Sequence, residues 1–229
     1  MMQSSCYSDI AANLSVQFEV PDIILPTSNC IFLLESPHIQ ELKYGAPVSG
    51  SSGATMSKHI FGAEYAKMPL GILVKKNAEI DARRPRLSAI GLMNVSNIPL
   101  QAGAYPPIIR KEYADWFAHM NAVRTNNQKL EFTDPQQADI QMTMVARLRS
   151  KLERFRGKSI TWIPCGRFAQ KFFSLAGVTD PSWTVIQDVP HPSYNSWDRE
   201  IYRPQIQRVT EAISRAALNM QNDAGSDRS

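Results

Sequence analysis

Four short, nearly continuous apolar runs punctuate the chain: CIFLL at 30–34, LSAIGLM at 87–93, ITWIPC at 160–165 and WTVI at 183–186. Runs of this kind, rather than alternating ones, predict strands covered on both faces and therefore a parallel sheet. Helical spacing fills the intervals. Met144, Leu148, Leu152 and Phe155 recur on one face and predict a helix over 138–155. RFAQKFFSLA predicts another over 167–176, closed by Gly177 as its C-cap. Pro204 opens a last helix with Val209, Ile213, Ala216 and Met220 on its inner stripe, and a further helix is expected over 111–123. Alternating strands and helices predict an α/β fold, a three-layer α/β/α sandwich around a central, mainly parallel four-stranded sheet. One domain is expected over 1–220, with a polar, disordered tail at 221–229.

The runs end in chemistry. ESPH follows the first, NVSN the second, Gly166 the third and QDVPHPS the fourth. Open sheets bind ligands beyond the carboxyl ends of their strands. An acid (Glu35), an amide (Asn94) and an imidazole (His191) therefore fall where the architecture expects a site.

Composition narrows the classes. A chain of 229 residues, 43% hydrophobic and 20% charged, matches an ordinary soluble domain. It lacks the apolar run of about 20 residues that spans a bilayer, and its N-terminus does not have the order of a secretion signal. Cys6, Cys30 and Cys165 form no Cys-x-x-Cys spacing, which argues against a zinc or iron–sulfur site and for free thiols in a reducing cytoplasm. No phosphate-binding loop or dinucleotide fingerprint appears, so no nucleotide cofactor, and no cofactor at all, is expected. The net charge of +4 permits a polyanionic partner. In RLRSKLERFRGK, Arg147, Lys151 and Arg154 share a helical face, either solvated or turned toward phosphates.

Taken as one stretch, LLESPHIQELKYGAPVSGSSG resembles the first motif of the uracil-DNA glycosylase superfamily, in the branch headed by Gly-Glu-Ala-Pro-Gly. Glu35, Pro37, Glu41, Gly45, Pro47, Gly50 and Gly53 fall at matching spacing without a gap. Asn94 follows the second strand as that superfamily's base-reading Asn does, Gly166 the third, and His191-Pro192-Ser193 the fourth, so the resemblance spans residues 29–200. Four features depart from the branch. Leu34 replaces its first glycine, His38 replaces its last, Val48 stands where an aromatic stacks on uracil, and the four cluster-binding cysteines are absent. The resemblance implies a monomeric, monofunctional DNA glycosylase that flips out a nucleotide and hydrolyses the N-glycosidic bond of uracil or a modified pyrimidine, leaving an abasic site.

That reaction gives each residue a role beside a plainer one. Glu35 is placed to hold the attacking water and stabilise the cationic sugar, or is a surface acid. His191 is placed to donate to the pyrimidine O2 while neutral, or to a loop carbonyl. Asn94 matches a pyrimidine edge, with Asn97 as its competitor, or caps a turn. Ser36, Pro37, His38 and Val48 would wall the base pocket. Gly50 and Ser51 would bring backbone N–H groups to phosphate, with Ser49 and Ser193 donating hydroxyls. Tyr194 and Trp197 would wedge into the space the base leaves, or pack on the last helix. His59 and His119 are expected to be structural or solvated. No lysine sits in these motifs, which favours water as nucleophile. Because Val48 and His38 reshape the pocket, a hydroxymethylated or glucosylated cytosine in phage DNA is an alternative substrate, implying antiviral defence. A catalytically silent DNA-binding protein of the same fold is another alternative. So is a serine hydrolase using Ser36 or Ser51, although no Gly-x-Ser-x-Gly elbow is present.

Overall fold

The computed structural model describes residues 7–80 and 84–226. Its sheet has four strands, β1 (Cys30–Leu34), β2 (Ile90–Asn94), β3 (Ile160–Pro164) and β4 (Trp183–Val185), in the order β2-β1-β3-β4. All three pairings are parallel. Around it lie α1 (Tyr7–Phe18), α2 (Ile39–Tyr44), α3 (Ser51–Phe61), α4 (Leu70–Glu79), α5 (Pro85–Ser88), α6 (Pro107–Glu112), α7 (Ala114–Thr125), α8 (Pro135–Glu153), α9 (Gly166–Ala176) and α10 (Arg203–Ser226). Alternate residues of β1 face opposite ways, as the pleat requires. Ile31 and Leu33 pack with α1, α7, α8 and α9, whereas Cys30, Phe32 and Leu34 pack with α3, α4 and α10. The result is a three-layer α/β/α sandwich. No helix among the described residues is long and apolar enough to cross a membrane.

Most predicted elements form, with instructive differences. β2 begins at Ile90, not at 87, because Pro85 starts a short helix that takes Leu87 and Ser88. In β4, Thr184 and Val185 are exposed, as an edge strand allows, so double-sided cover fails there. The helix expected over 111–123 is split at Tyr113, whose φ of −107° and ψ of 29° leave helical geometry. Gly177 caps α9 in the left-handed region at φ 64°. The polar tail is corrected in part: α10 runs on to Ser226, since adding residues to an established helix needs no new nucleus. The last three residues and Cys6 lie outside the described residues.

The basic stripe divides, with one of its three cations engaged inside the fold. Lys151 Nζ pairs with Asp22 Oδ2 at 2.8 Å and donates to the Asn94 carbonyl (2.8 Å) and Asn97 Oδ1 (2.5 Å). Arg147 lies over the Tyr7 ring. Lys151 thus fastens α8 to the end of β2 and is not free for phosphates, whereas Arg147 and Arg154 are exposed.

Lys151→Ala leaves Asp22 half-buried and unpaired and is expected to lower the unfolding free energy by about 2–4 kcal/mol. Exposed Arg154→Ala should stay within about 0.5 kcal/mol. Urea denaturation of both variants checks the contrast.

Candidate active site

The carboxyl ends of β1, β2 and β3 open into a cleft of about 790 Å³. Register makes them end level: Leu34 pairs with Asn94, and Leu33 with Pro164. Among the expected site residues, Glu35, Ser36, His38, Val48, Gly50, Ser51, Asn94, His191, Ser193 and Tyr194 line this one cleft.

Glu35 is the first residue beyond β1. Its carbonyl accepts from Ser96 N–H at 3.1 Å, so the backbone stays sheet-like although the strand has ended. Its side chain is 18% exposed, and Oε1 accepts from Arg124 Nε at 2.5 Å. Ser36 Oγ accepts from Leu100 N–H at 3.4 Å. Pro37 is buried and does not line the cleft, which corrects its expected place in the wall: it turns the chain into α2 instead. His38 is the N-cap of α2 and lines the cleft with an exposed side chain. Its N–H donates to Glu41 Oε2 at 3.1 Å, so the motif's second acid serves to start the helix.

The loop carrying Val48 is pressed between two helices. A Cβ on Gly53 would lie 1.7 Å from the Val48 carbonyl oxygen, and one on Gly71 1.8 Å from that of Pro47. Only glycine permits these approaches. Ser49 is turned inward and donates to the Ala46 carbonyl at 2.8 Å, so the expectation that it contacts phosphate is corrected. Val48 itself sits at φ 47°, a costly conformation for a β-branched residue. The described non-glycine residues with positive φ are Val48, Asp188, Tyr194 and Asn195. Three of them line the cleft and the fourth adjoins it.

Asn94 ends β2 and is 2% exposed. Its N–H donates to Asp22 Oδ1 at 3.0 Å, while its carbonyl takes the Lys151 ammonium. The backbone is thus held from both sides, yet Nδ2 is buried without a hydrogen-bond partner. Asn97 is fully engaged, with Val20 O at 2.8 Å, Asp22 Oδ1 at 2.9 Å and Lys151, so of the two asparagines it is Asn94 that lines the cleft.

His191 is seated against Gly166, which adopts φ 83°; a Cβ there would come within 2.8 Å of the His191 Cβ. Ser193 N–H donates to His191 Nδ1 at 3.2 Å, and the Ser193 hydroxyl lies 2.8 Å from the same atom. A backbone N–H can only donate, so Nδ1 is the acceptor and the neutral ring carries its proton on Nε2. Burial holds the imidazole below its ordinary pKa; Glu35 opposes this shift and Arg124 adds to it. Ser193 therefore serves His191, which corrects its expected role as a phosphate donor.

The two aromatics after this segment part ways. Tyr194 is 89% exposed at the cleft, whereas Trp197 is 1% exposed, packs beside Phe32 and His59, and donates Nε1–H to the Pro190 carbonyl at 2.9 Å. A wedge role for Trp197 is corrected, because the left-handed turn at Tyr194 and Asn195 sends the indole inward. His59 is structural, with Nε2 2.8 Å from Asp198 Oδ1.

Two basic residues escaped sequence reasoning. Arg124 comes from the last turn of α7, and Arg167 stands exposed in the first turn of α9; both line the cleft. A cation directly after Gly166 was the available signal for the second, whereas nothing local marked the first. Cys165 also reaches the cleft, but burial raises its thiol pKa, and that of Cys30 is pushed up to about 11. Both are poor nucleophiles. No relay through Ser36 or Ser51 is assembled, since the His191 bond goes to Ser193.

In comparisons with known proteins, no family model matches the chain and no curated protein matches it.

Gly53→Ala should lower stability by about 3 kcal/mol, because backbone must move. Gly103→Ala, with open space where its Cβ would stand, should change stability by less than about 1 kcal/mol. Chemical denaturation curves of the pair test whether the Val48 loop is held by close approach.

Proposed function

We propose that this chain is a monofunctional DNA glycosylase that draws one nucleotide out of the stack and hydrolyses its N-glycosidic bond, leaving an abasic site. The observation that carries the reading is the convergence of Glu35, Asn94 and His191 on one cleft from the ends of separate strands. Their open groups suit the reaction. Breaking the bond builds positive charge on the sugar and negative charge on the departing base. Glu35 supplies a carboxylate for water and the cationic sugar. The His191 Nε2–H supplies a donor to the base oxygen, and the unpartnered Asn94 Nδ2 supplies a donor to the base edge. No lysine lines the cleft among the described residues, which favours water over a Schiff base. The motif resemblance over 33–53 and at His191-Pro192-Ser193 supports the same class.

DNA is the proposed partner. Gly50 and Ser51 at the start of α3, together with exposed Arg167, are the groups offered to its phosphates, and exposed Tyr194 is offered to the vacated stack. All these groups come from one copy, so a monomer suffices. The buried free thiols Cys30 and Cys165 support a reducing, cytoplasmic setting. Uracil is the base the resemblance supplies. A larger modified pyrimidine, such as hydroxymethylated or glucosylated cytosine in phage DNA, is favoured by one observation. Val48 leaves out a stacking ring, while exposed His38 and neighbouring Gln40 and Glu41 make the adjoining wall polar.

Glu35→Gln and His191→Ala are each expected to lower excision by about 10²–10⁴-fold while DNA binding holds. Mass spectrometry of the free base released from uracil-containing and modified phage DNA reads both activity and substrate. Full activity in either variant, or binding with no base released from any DNA, refutes the reading.

His191 titrates below its usual value and would act while neutral, so the acidic limb of kcat/KM should fall below pH 6.5. A limb at or above pH 6.5 contradicts the proposed donor.

A further inference from the structure

We propose that Arg124 is a positioning residue for this site: it fixes the Glu35 carboxylate through one oxygen, leaves the other free, and offsets its charge beside His191. The proposal rests on the glycosylase reading for its catalytic meaning but not for its geometry.

Arg124 reaches the site from the last turn of α7, and 89 residues separate it from Glu35. The contact is made side-on through Nε to Oε1 at 2.5 Å. Among the described residues no protein donor reaches Oε2, so the carboxylate keeps one lone-pair face for a water. A carboxylate bound at a single oxygen loses rotational freedom without losing its second acceptor, which a water-positioning group requires. The pair is partly shielded, with side chains 26% and 18% exposed, so its field is less screened than that of a surface ion pair.

The second effect falls on His191. Glu35 alone would favour the imidazolium, and Arg124 acts in the opposite sense. The other titratable or charged side chains lining the cleft are His38 and Glu41 near the start of α2, Cys165 and Arg167 at the start of α9, and Asp188, Tyr194 and Tyr202 beyond β4. Of all these groups, Glu35 and Arg124 are the two whose charges bear on the ring. Arg124 thus lets an anionic acid and a neutral imidazole work in one cleft.

The test is a nitrogen-detected NMR titration of His191 in the wild type, Arg124→Gln, Arg124→Lys, Glu35→Gln and the Glu35→Gln/Arg124→Gln double variant, with excision kinetics beside it. Arg124→Gln should raise the His191 pKa, Arg124→Lys should hold it near the wild-type value, and the rise should vanish in the double variant. Identical titration of the wild type and Arg124→Gln, or a rise that persists in the double variant, overturns the charge offset. On substrate, Arg124→Gln should lower kcat by about tenfold or more, change KM by less than about twofold, and move the acidic limb to higher pH, with part of the loss recovered in Arg124→Lys. A loss confined to KM with a flatter salt dependence would make Arg124 a phosphate contact and overturn the positioning role. The titration needs no DNA, so it decides the coupling even if the wild type releases no base.

Discussion

Parallel register at the centre of the sheet is the constraint on which the rest depends. Leu34 lies opposite Asn94 and Leu33 opposite Pro164, so three strands stop at one level and the chain must leave the sheet three times in one place. Each exit solves the problem differently. β1 leaves through Ser36-Pro37 into a capped helix, β2 through a turn held by Asp22 and Lys151, and β3 through Gly166 at φ 83°. Side chains at those exits have no further strand to pack on. Helices on both faces then wall the gap into a cleft.

Holding that cleft open requires backbone conformations that most sequences avoid. Val48 is kept at φ 47° by a loop that two helices grip through glycine contacts too close for any side chain. Tyr194 and Asn195 are consecutive left-handed residues. The segment carrying them is tied to α3 by Asp198, which meets both Lys58 at 2.7 Å and His59 at 2.8 Å. Strain of this sort persists only where surrounding structure over-determines it. Here the over-determination is visible: Trp197 is buried just after the kink, bonded through its indole N–H to Pro190, and so anchors the strained turn.

How much of this could be read from the sequence follows from which forces are local. β1, α9 and α10 were legible because their apolar spacing matches the period of the element they form. α4 was not, since LGILV reads as a short apolar run rather than an amphipathic turn; nor was α1, where Tyr7, Ala11 and Leu14 make only a thin buried stripe. Glu35, Asn94 and His191 were legible as strand-end chemistry. Their partners were not. Lys151 sits in a charge run whose neighbours are mostly exposed, and nothing within that run distinguishes the one lysine that meets Asp22. Trp197 and Tyr194 are near neighbours of similar character, and a backbone kink alone decides which is buried.

The distribution of satisfied and unsatisfied polar atoms bears most directly on function. Around Asn94 the backbone donor, the backbone acceptor and the adjacent Asn97 amide are all bonded, with a half-buried ion pair committed to the task. The Asn94 side chain, in the same surroundings, has Nδ2 left bare. A buried donor without a partner costs about 1–3 kcal/mol. A chain under pressure for stability alone would place an apolar side chain there at no loss to the clamp, because the clamp uses only the backbone. His191 repeats the pattern, with Nδ1 bonded twice and Nε2 left open, and so does Glu35, with Oε1 bonded and Oε2 left open. In these last two residues one atom fixes the group and its twin is left without a protein partner among the described residues. Supports that immobilise a side chain while sparing one polar atom suit a ligand with complementary donors and acceptors, and an extruded pyrimidine with its sugar and an attacking water has that complement.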